Sequence, residues 1–354
     1  MLQDYFSMSF FGLVTSFAFA LLISTFFRFW NRPDVNMNKK RAAHALPTSR
    51  LGGLGVGASI LLIVLLNNNV WHLEIALASF PIFLAGLMED FGKPMKPRLR
   101  LAVGALSAVI FIFFEEHFIV DIGIIGADKI LAYWPVSMAF TIFCIVALIN
   151  ALNFIDGING LASGKTMIAA FALLLLANQY DEPNLTLLGT GIFSATLGLF
   201  MLNFPQGRIF LGDAGAYTLG FLLAVSFITL QSKNPEISAW AIMLIIFWPI
   251  VDMAHAIIRR RLKHSRADRP DFLHFHHVVM RSLIIYSGGR LKKSVANPVA
   301  TAIILPLATI PVALGVIYHE HNIVCVTLFC VFAVLFCLLH RNLIRLATLR
   351  KIRL

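Results

Sequence analysis

Apolar residues run continuously over stretches near 8–27, 51–66, 71–88, 101–114, 131–150, 161–177, 185–202, 214–230, 237–258, 299–318 and 323–340, separated by short polar breaks. A run of roughly 20 apolar residues is the length a helix needs to cross a bilayer, whereas spanning strands alternate over about ten residues. The unbroken Leu185–Leu202 stretch therefore predicts helix, and the chain as a whole predicts an all-α, polytopic membrane protein with about eleven spans in a single integral membrane domain, 1–354. A shorter apolar stretch, Val278–Tyr286, lies inside the one long polar loop and reads either as a helix in the membrane interface or as a plain connector.

Composition agrees with this pattern: 58% of the 354 residues are hydrophobic and 13% are charged, with mean hydropathy +0.81. Soluble domains carry about 25% charged residues, so a water-soluble globule is excluded. The net charge of +11 raises the question of nucleic acid. Its distribution answers it, because nearly every Lys and Arg lies just outside an apolar run, the mark of membrane topology. The first run has no basic segment before it and is followed by Arg28, Arg32, Lys39, Lys40 and Arg41, which predicts an anchor with its N-terminus outside, not a cleaved signal peptide. If eleven spans then alternate, the cytoplasmic segments are 28–50, 89–100, 151–165, 203–213, 259–298 and the tail from 341. They hold 27 of the 29 Lys and Arg, all but Lys129 and Lys233. A wrong span count would scramble the split downstream of the error. Cys144, Cys325, Cys330 and Cys337 all fall within apolar stretches and read as packing residues.

The same topology sorts the carboxylates. Asp121, Asp128, Asp181, Glu182, Glu236 and Glu320 fall in outer loops. Glu89, Asp90, Asp156, Asp213 and Asp252 fall at helix ends on the cytoplasmic face, from separate segments that could converge on one surface site. An ion-coupled carrier would instead place ionisable groups near the midplane and show repeated halves, and neither is evident. A transporter or flippase of lipid-linked sugars is thus the alternative function, and a catalytically silent scaffold a third.

Four blocks carry candidate chemistry. Asn150-Ala-Leu-Asn153-Phe-Ile-Asp156-Gly-Ile-Asn159-Gly offers three amides and a carboxylate at short spacing with turn-permitting glycines, which suits a polar ligand or, equally, an Asn-capped helix end. In Gly212-Asp213-Ala-Gly215, Asp213 reads either as an N-cap or as a lone hard ligand for Mg²⁺, an ion that keeps waters and takes phosphate oxygens. In Asp271-Phe-Leu-His274-Phe-His276-His277, three histidines could hold zinc, donate to phosphate or form a polar loop; no distant ligand pair accompanies them, and Arg259, Arg260 and Arg261 nearby favour phosphate. Finally, His44-Ala-Leu-Pro-Thr-Ser-Arg50-Leu-Gly52-Gly53 precedes the second run, its glycines suited to close helix packing and Arg50 to a functional contact.

In this order and on one predicted face, the blocks resemble the polyprenyl-phosphate N-acetylhexosamine-1-phosphate transferase family, which includes the phospho-N-acetylmuramoyl-pentapeptide translocase. The match spans about residues 28–280. Asp90 matches the second member of an Asp-Asp pair, Asn153 and Asp156 an N-x-x-D-G-x-x-G-L block, and Asp213 a G-D-x-G aspartate expected to hold Mg²⁺, with Mn²⁺ as the other ion. Asp252 matches an acidic position before the basic run, and Asp271, His274, His276 and His277 match a D-x-x-H-x-H-H loop. Glu89 and Asn159 depart from the family, standing where aspartates are usual.

The resemblance implies a Mg-dependent enzyme of a bacterial inner membrane. It would transfer a sugar-1-phosphate, N-acetylglucosamine-1-phosphate or a related N-acetylhexosamine-1-phosphate, from a UDP-amino sugar to a polyprenyl (undecaprenyl) phosphate, releasing UMP at the cytoplasmic face and initiating cell-envelope polysaccharide synthesis. By that reading Asp90, Glu89, Asp213, His274, His276 and His277 are catalytic, and Asn153, Asp156, Asn159, Arg50, His44, Asp252 and Asp271 bind substrate. Asp90 would either accept the lipid phosphate proton or position that phosphate. A homodimer is compatible with it, and nucleic acid is not a partner.

Overall fold

The computed structural model describes residues 2–29, 48–67, 69–262 and 273–351, and every regular element among them is helical. In hydrocarbon every backbone amide must be satisfied within its own segment, so these apolar runs have no alternative to helix. The chain forms α1 (Leu2–Phe29), α2 (Gly52–Asn67), α3 (Val70–Asp90) and α4 (Pro97–Glu115). After a short outer helix α5 (Ile125–Leu131) come α6 (Trp134–Ile155), α7 (Leu161–Gln179), α8 (Pro183–Asn203) and α9 (Gly212–Lys233). The chain closes with α10 (Ala239–Ile245), α11 (Phe247–Leu262), α12 (Phe275–Tyr286), α13 (Lys293–Ile317) and α14 (Asn322–Lys351).

Nine of these helices are long and apolar enough to cross a membrane, among the described residues, and they coincide with nine of the eleven expected runs. The other two differ. The run 51–66 forms α2, a shorter apolar helix. The run 237–258 is not one straight span: α10 and α11 meet at 85°. Pro249 explains the break, since it has no N–H for the Ile245 carbonyl, the last residue of α10. Val278–Tyr286 does lie in a helix, α12. One residue of the charge tally is misplaced by the sequence reading: Lys165, counted with segment 151–165, sits in the second turn of α7, 2% exposed, donating to the Ala308 carbonyl (3.1 Å).

At the centre stands α9. Every residue from Ala214 to Leu230 is buried, and α2, α3, α6 and α7 pack around it. By contrast α1 and α14 present Phe10, Leu22, Val334 and Leu335 outward, as lipid-facing helices do. Small residues let the inner helices close on α9. A side chain at Gly53 would meet the backbone of Gly215, and one at Gly86 of α3 would lie 2.5 Å from the Ala214 N and Cα atoms. The start of α9 is thereby locked to the ends of its neighbours.

Candidate active site

The first turn of α9 is the point on which the predicted residues converge. Residues 48–53 run beside 209–211: the Phe210 N–H donates to the Ser49 carbonyl (2.9 Å), and the Gly52 and Gly53 amides donate to the carbonyls of Phe210 (2.9 Å) and Leu211 (2.8 Å). Gly212 then opens α9 at φ +74°, a conformation natural only to glycine, and any side chain there would strike the Arg50 carbonyl and the Asp90 carboxylate. This strand-like contact places Arg50 Nη1 3.8 Å from Asp213 Oδ2.

A helix N-terminus offers unpaired amides and a positive dipole end. Asp90, at the last turn of α3, occupies two of those amides: the Asp213 N–H donates to its Oδ1 (2.8 Å) and the Ala214 N–H to its Oδ2 (2.9 Å). Asp213 itself is therefore not the cap. Its Oδ1 accepts from Asn153 Nδ2 (2.6 Å), and its side chain stays partly open. Asp156, just past α6, lies beside the Gly212 amide. Burial raises its carboxyl to about 7; Arg50 and the Gly212 amide oppose that shift, and the charge of Asp213 adds to it. Asp90, Asp156 and Asp213, from three helix ends, thus surround one helix start together with Arg50 and Asn153.

The histidine loop is built by Asp252. This carboxylate, wholly buried on α11, accepts from the Phe275 N–H (3.0 Å) and from His274 Nδ1 (3.1 Å), and so starts α12. Asp252 supports the loop from behind and does not sit among the groups at α9. His274 stacks on Phe154 of α6 (5.5 Å). His276 is 1% exposed, and neither of its ring nitrogens has a hydrogen-bond partner. Burial first, and then the neighbouring His277 and His274, hold it well below the usual imidazole range. A side chain at Gly157 would collide with His276 Nε2, so the loop abuts the Asp156–Gly157 turn.

Asn159 ties its turn to neighbouring segments. It is buried, its Nδ2 donates to the Pro205 carbonyl (2.9 Å), its N–H donates to Asn297 Oδ1 (2.8 Å) and its carbonyl accepts from Thr301 (2.7 Å), tying the turn to α13. Asn203 steadies the same turn by accepting from the Gly160 N–H (2.6 Å). His44 and Asp271 lie outside the described residues. Glu89 faces a pair that sequence reasoning missed: Tyr217, fully buried one turn beyond Asp213, and Arg100, whose Nη1 donates to the Tyr217 hydroxyl (3.3 Å). The i, i+4 spacing of Asp213 and Tyr217 was a signal available in the sequence. Arg100 was not separable from the other topology-setting cations.

The donor set suits a hard cation. Asp213 presents a partly open carboxylate beside further carboxylates at a helix start where phosphate is also welcome, the pattern by which Mg²⁺ is held when substrate oxygens and water complete its shell. Among the described residues no three His, Cys, Asp or Glu side chains form a closed metal cage.

A sequence model described as glycosyl transferase family 4 matches residues 72–231, which include Glu89, Asp90, Asn153, Asp156, Asn159 and Asp213. The chain is 26% identical over 304 residues, 80% of each chain, to a Bacillus subtilis (strain 168) protein named probable undecaprenyl-phosphate N-acetylglucosaminyl 1-phosphate transferase. It is 27% identical to the undecaprenyl-phosphate alpha-N-acetylglucosaminyl 1-phosphate transferase of Escherichia coli (strain K12), covering 69% of this chain and 68% of that one. The protein of the same name from Thermotoga maritima is 25% identical, over 76% and 80% of the two chains.

Proposed function

The chain belongs to glycosyl transferase family 4, and from that premise we propose that it transfers N-acetylglucosamine-1-phosphate, or a related N-acetylhexosamine-1-phosphate, from a UDP-sugar to a polyprenyl phosphate. The observation that carries this reading is the gathering of Asp90, Asp156, Asp213, Asn153 and Arg50 around the first turn of α9. An oxygen of the lipid phosphate attacks the β-phosphorus of the UDP-sugar. The new P–O bond forms as the bond from that phosphorus to the bridging oxygen breaks, and UMP departs with the oxygen.

Several negative charges must meet for this, so positioning and charge neutralisation supply most of the catalysis. Mg²⁺ on Asp213 would supply charge neutralisation across the diphosphate. Asn153 and Arg50 hold the Asp213 carboxylate in place, and Arg50 adds positive charge on that side. Asp90 fixes the α9 amides and, with them, the direction in which Asp213 points. His276, buried with neither ring nitrogen hydrogen-bonded, has as a neutral imidazole one N–H to donate to a phosphate oxygen.

The basic segments beside these residues support our reading of a site at the cytoplasmic face of an inner membrane, with the N-terminus outside. There a lipid head can meet a soluble nucleotide while its tail stays in hydrocarbon. The test is product identity. Purified protein given UDP-N-acetylglucosamine, polyprenyl phosphate and Mg²⁺ should release UMP, and only with the lipid present. Added UMP should regenerate UDP-sugar from the lipid product, because one diphosphate link is exchanged for another. Release of UDP, or UMP formation indifferent to the lipid, refutes the reading.

A further inference from the structure

Helix α14 is largely a lipid-facing rod; among its described side chains only Cys325, Phe336 and His340 are buried. Phe336 and His340 stand four residues apart and so share one face of the helix. That face does not simply fill a groove in the bundle. Phe336 packs against Phe275 (4.8 Å) and Trp248 (5.4 Å). The His340 ring lies 4.4 Å from His255, and its Nε2 donates to the Leu273 carbonyl (2.7 Å).

Leu273 immediately precedes His274. Its carbonyl accepts the His340 hydrogen bond just where the loop turns into α12. Residues 273–275 are consequently gripped from two directions, by His340 on the Leu273 carbonyl and by Asp252 on the Phe275 amide. Resting on the reading that the histidine loop meets substrate phosphate, we propose that His340 is a positioning residue. Through the Leu273 carbonyl it sets the register of His274, His276 and His277, and it makes the last helix part of the transfer apparatus, far from residues 72–231 where the family match lies. The hydrogen bond is the specific element. An apolar side chain at 340 would keep the packing against Phe336 and remove the bond to the Leu273 carbonyl.

The experiment compares full-length His340→Leu and His340→Gln with the unaltered protein. The amide of Gln reaches about where imidazole Nε2 does; Leu fills the space and cannot donate. His340→Leu should lower kcat on the order of 10- to 100-fold while KM for the UDP-sugar changes little, the signature of misplaced charge-neutralising groups. His340→Gln should recover most of the loss. On a His276→Ala background His340→Leu should cost nothing further, because residues acting through one another are not additive. Hydrogen exchange over residues 273–280 adds an arm independent of activity, with faster exchange in the Leu variant alone. Unchanged kcat and exchange in the Leu variant overturns the proposal, as does equal loss in Leu and Gln, or a Leu penalty undiminished on His276→Ala. If the unaltered protein makes no UMP, the reaction reading fails, and the exchange arm still decides whether His340 holds the loop.

Discussion

Gly86→Ala should disable the site from a position that touches no substrate. A Cβ at Gly86 would lie 2.5 Å from the N and Cα atoms of Ala214. Carbon contacts settle at about 3.5–4.0 Å, so α3 must withdraw from α9 by ~1 Å, since both obstructing atoms are backbone. Asp90 lies four residues further along α3, on the same face. Its two bonds to the α9 amides, 2.8 and 2.9 Å, would stretch to nearly 4 Å, well past the limit of about 3.2 Å for N–H···O. A hydrogen bond to a charged group is worth ~1.5–3 kcal/mol, and a displacement of ~1 Å can cost on the order of 10²-fold in rate. We expect kcat for UMP release to fall by about that factor per mole of folded protein. The control is Gly104→Ala on neighbouring α4, where the new Cβ would lie 3.5 Å from Val146 Cγ2, an ordinary contact. That variant should keep its activity and, gaining up to ~1 kcal/mol of helix propensity, melt no lower than the parent. Activity of Gly86→Ala within about twofold of the parent, against the ~10²-fold expected, would show that the α3–α9 approach does not set the site.

Asp213→Asn keeps an oxygen for the Asn153 amide and loses the charge, so thermal stability should hold while Mg²⁺-dependent turnover falls on the order of 10²–10⁴-fold; near-parental turnover would remove Asp213 from the metal site. Asn159→Asp abolishes the donor to the Pro205 carbonyl and sets two oxygens against each other in a buried position, costing ~1–3 kcal/mol. An unchanged melting temperature would mean that the side chain is not a tie. In a background without the four native cysteines, a cysteine at Lys129 should react with an impermeant reagent on intact cells and one at Arg290 should not; labelling at Arg290 would invert the topology.

Much of this architecture is legible from hydropathy because lipid leaves the backbone no choice: each apolar run becomes helix, and nine runs are full-length spans. The break at Ile246 was hidden, since Pro249 sits within an otherwise unbroken apolar run and proline is tolerated in other spans, as at Pro306 and Pro311 of α13. At the site, residue type singled out Asp90, Asn153, Asp156 and Asp213, which the structure gathers at the start of α9. It could not assign their tasks, because a helix cap and a metal ligand use the same side chain. Geometry separates them: Asp90 caps α9, Asp213 faces the opening, and Asp252 serves the histidine loop. Asn159 and His340 show the remaining limit, since each is defined by a partner more than 40 residues away in the chain.

The enclosure of α9 bears on how such a chain is made. Its neighbours α2, α3, α6 and α7 precede it in synthesis, and its own face carries Thr218, Ser226 and Thr229, all buried against protein. A helix of that kind gains less from lipid than from a waiting socket. During biogenesis the ninth helix is the keystone: nascent chains that stop before Gly212 hold Asp90, Asn153 and Asp156 with no helix start to gather around. The carboxylate cluster therefore forms only once the start of α9 has been made, and an insertion error in any of the four earlier helices surfaces as a fault where they meet α9.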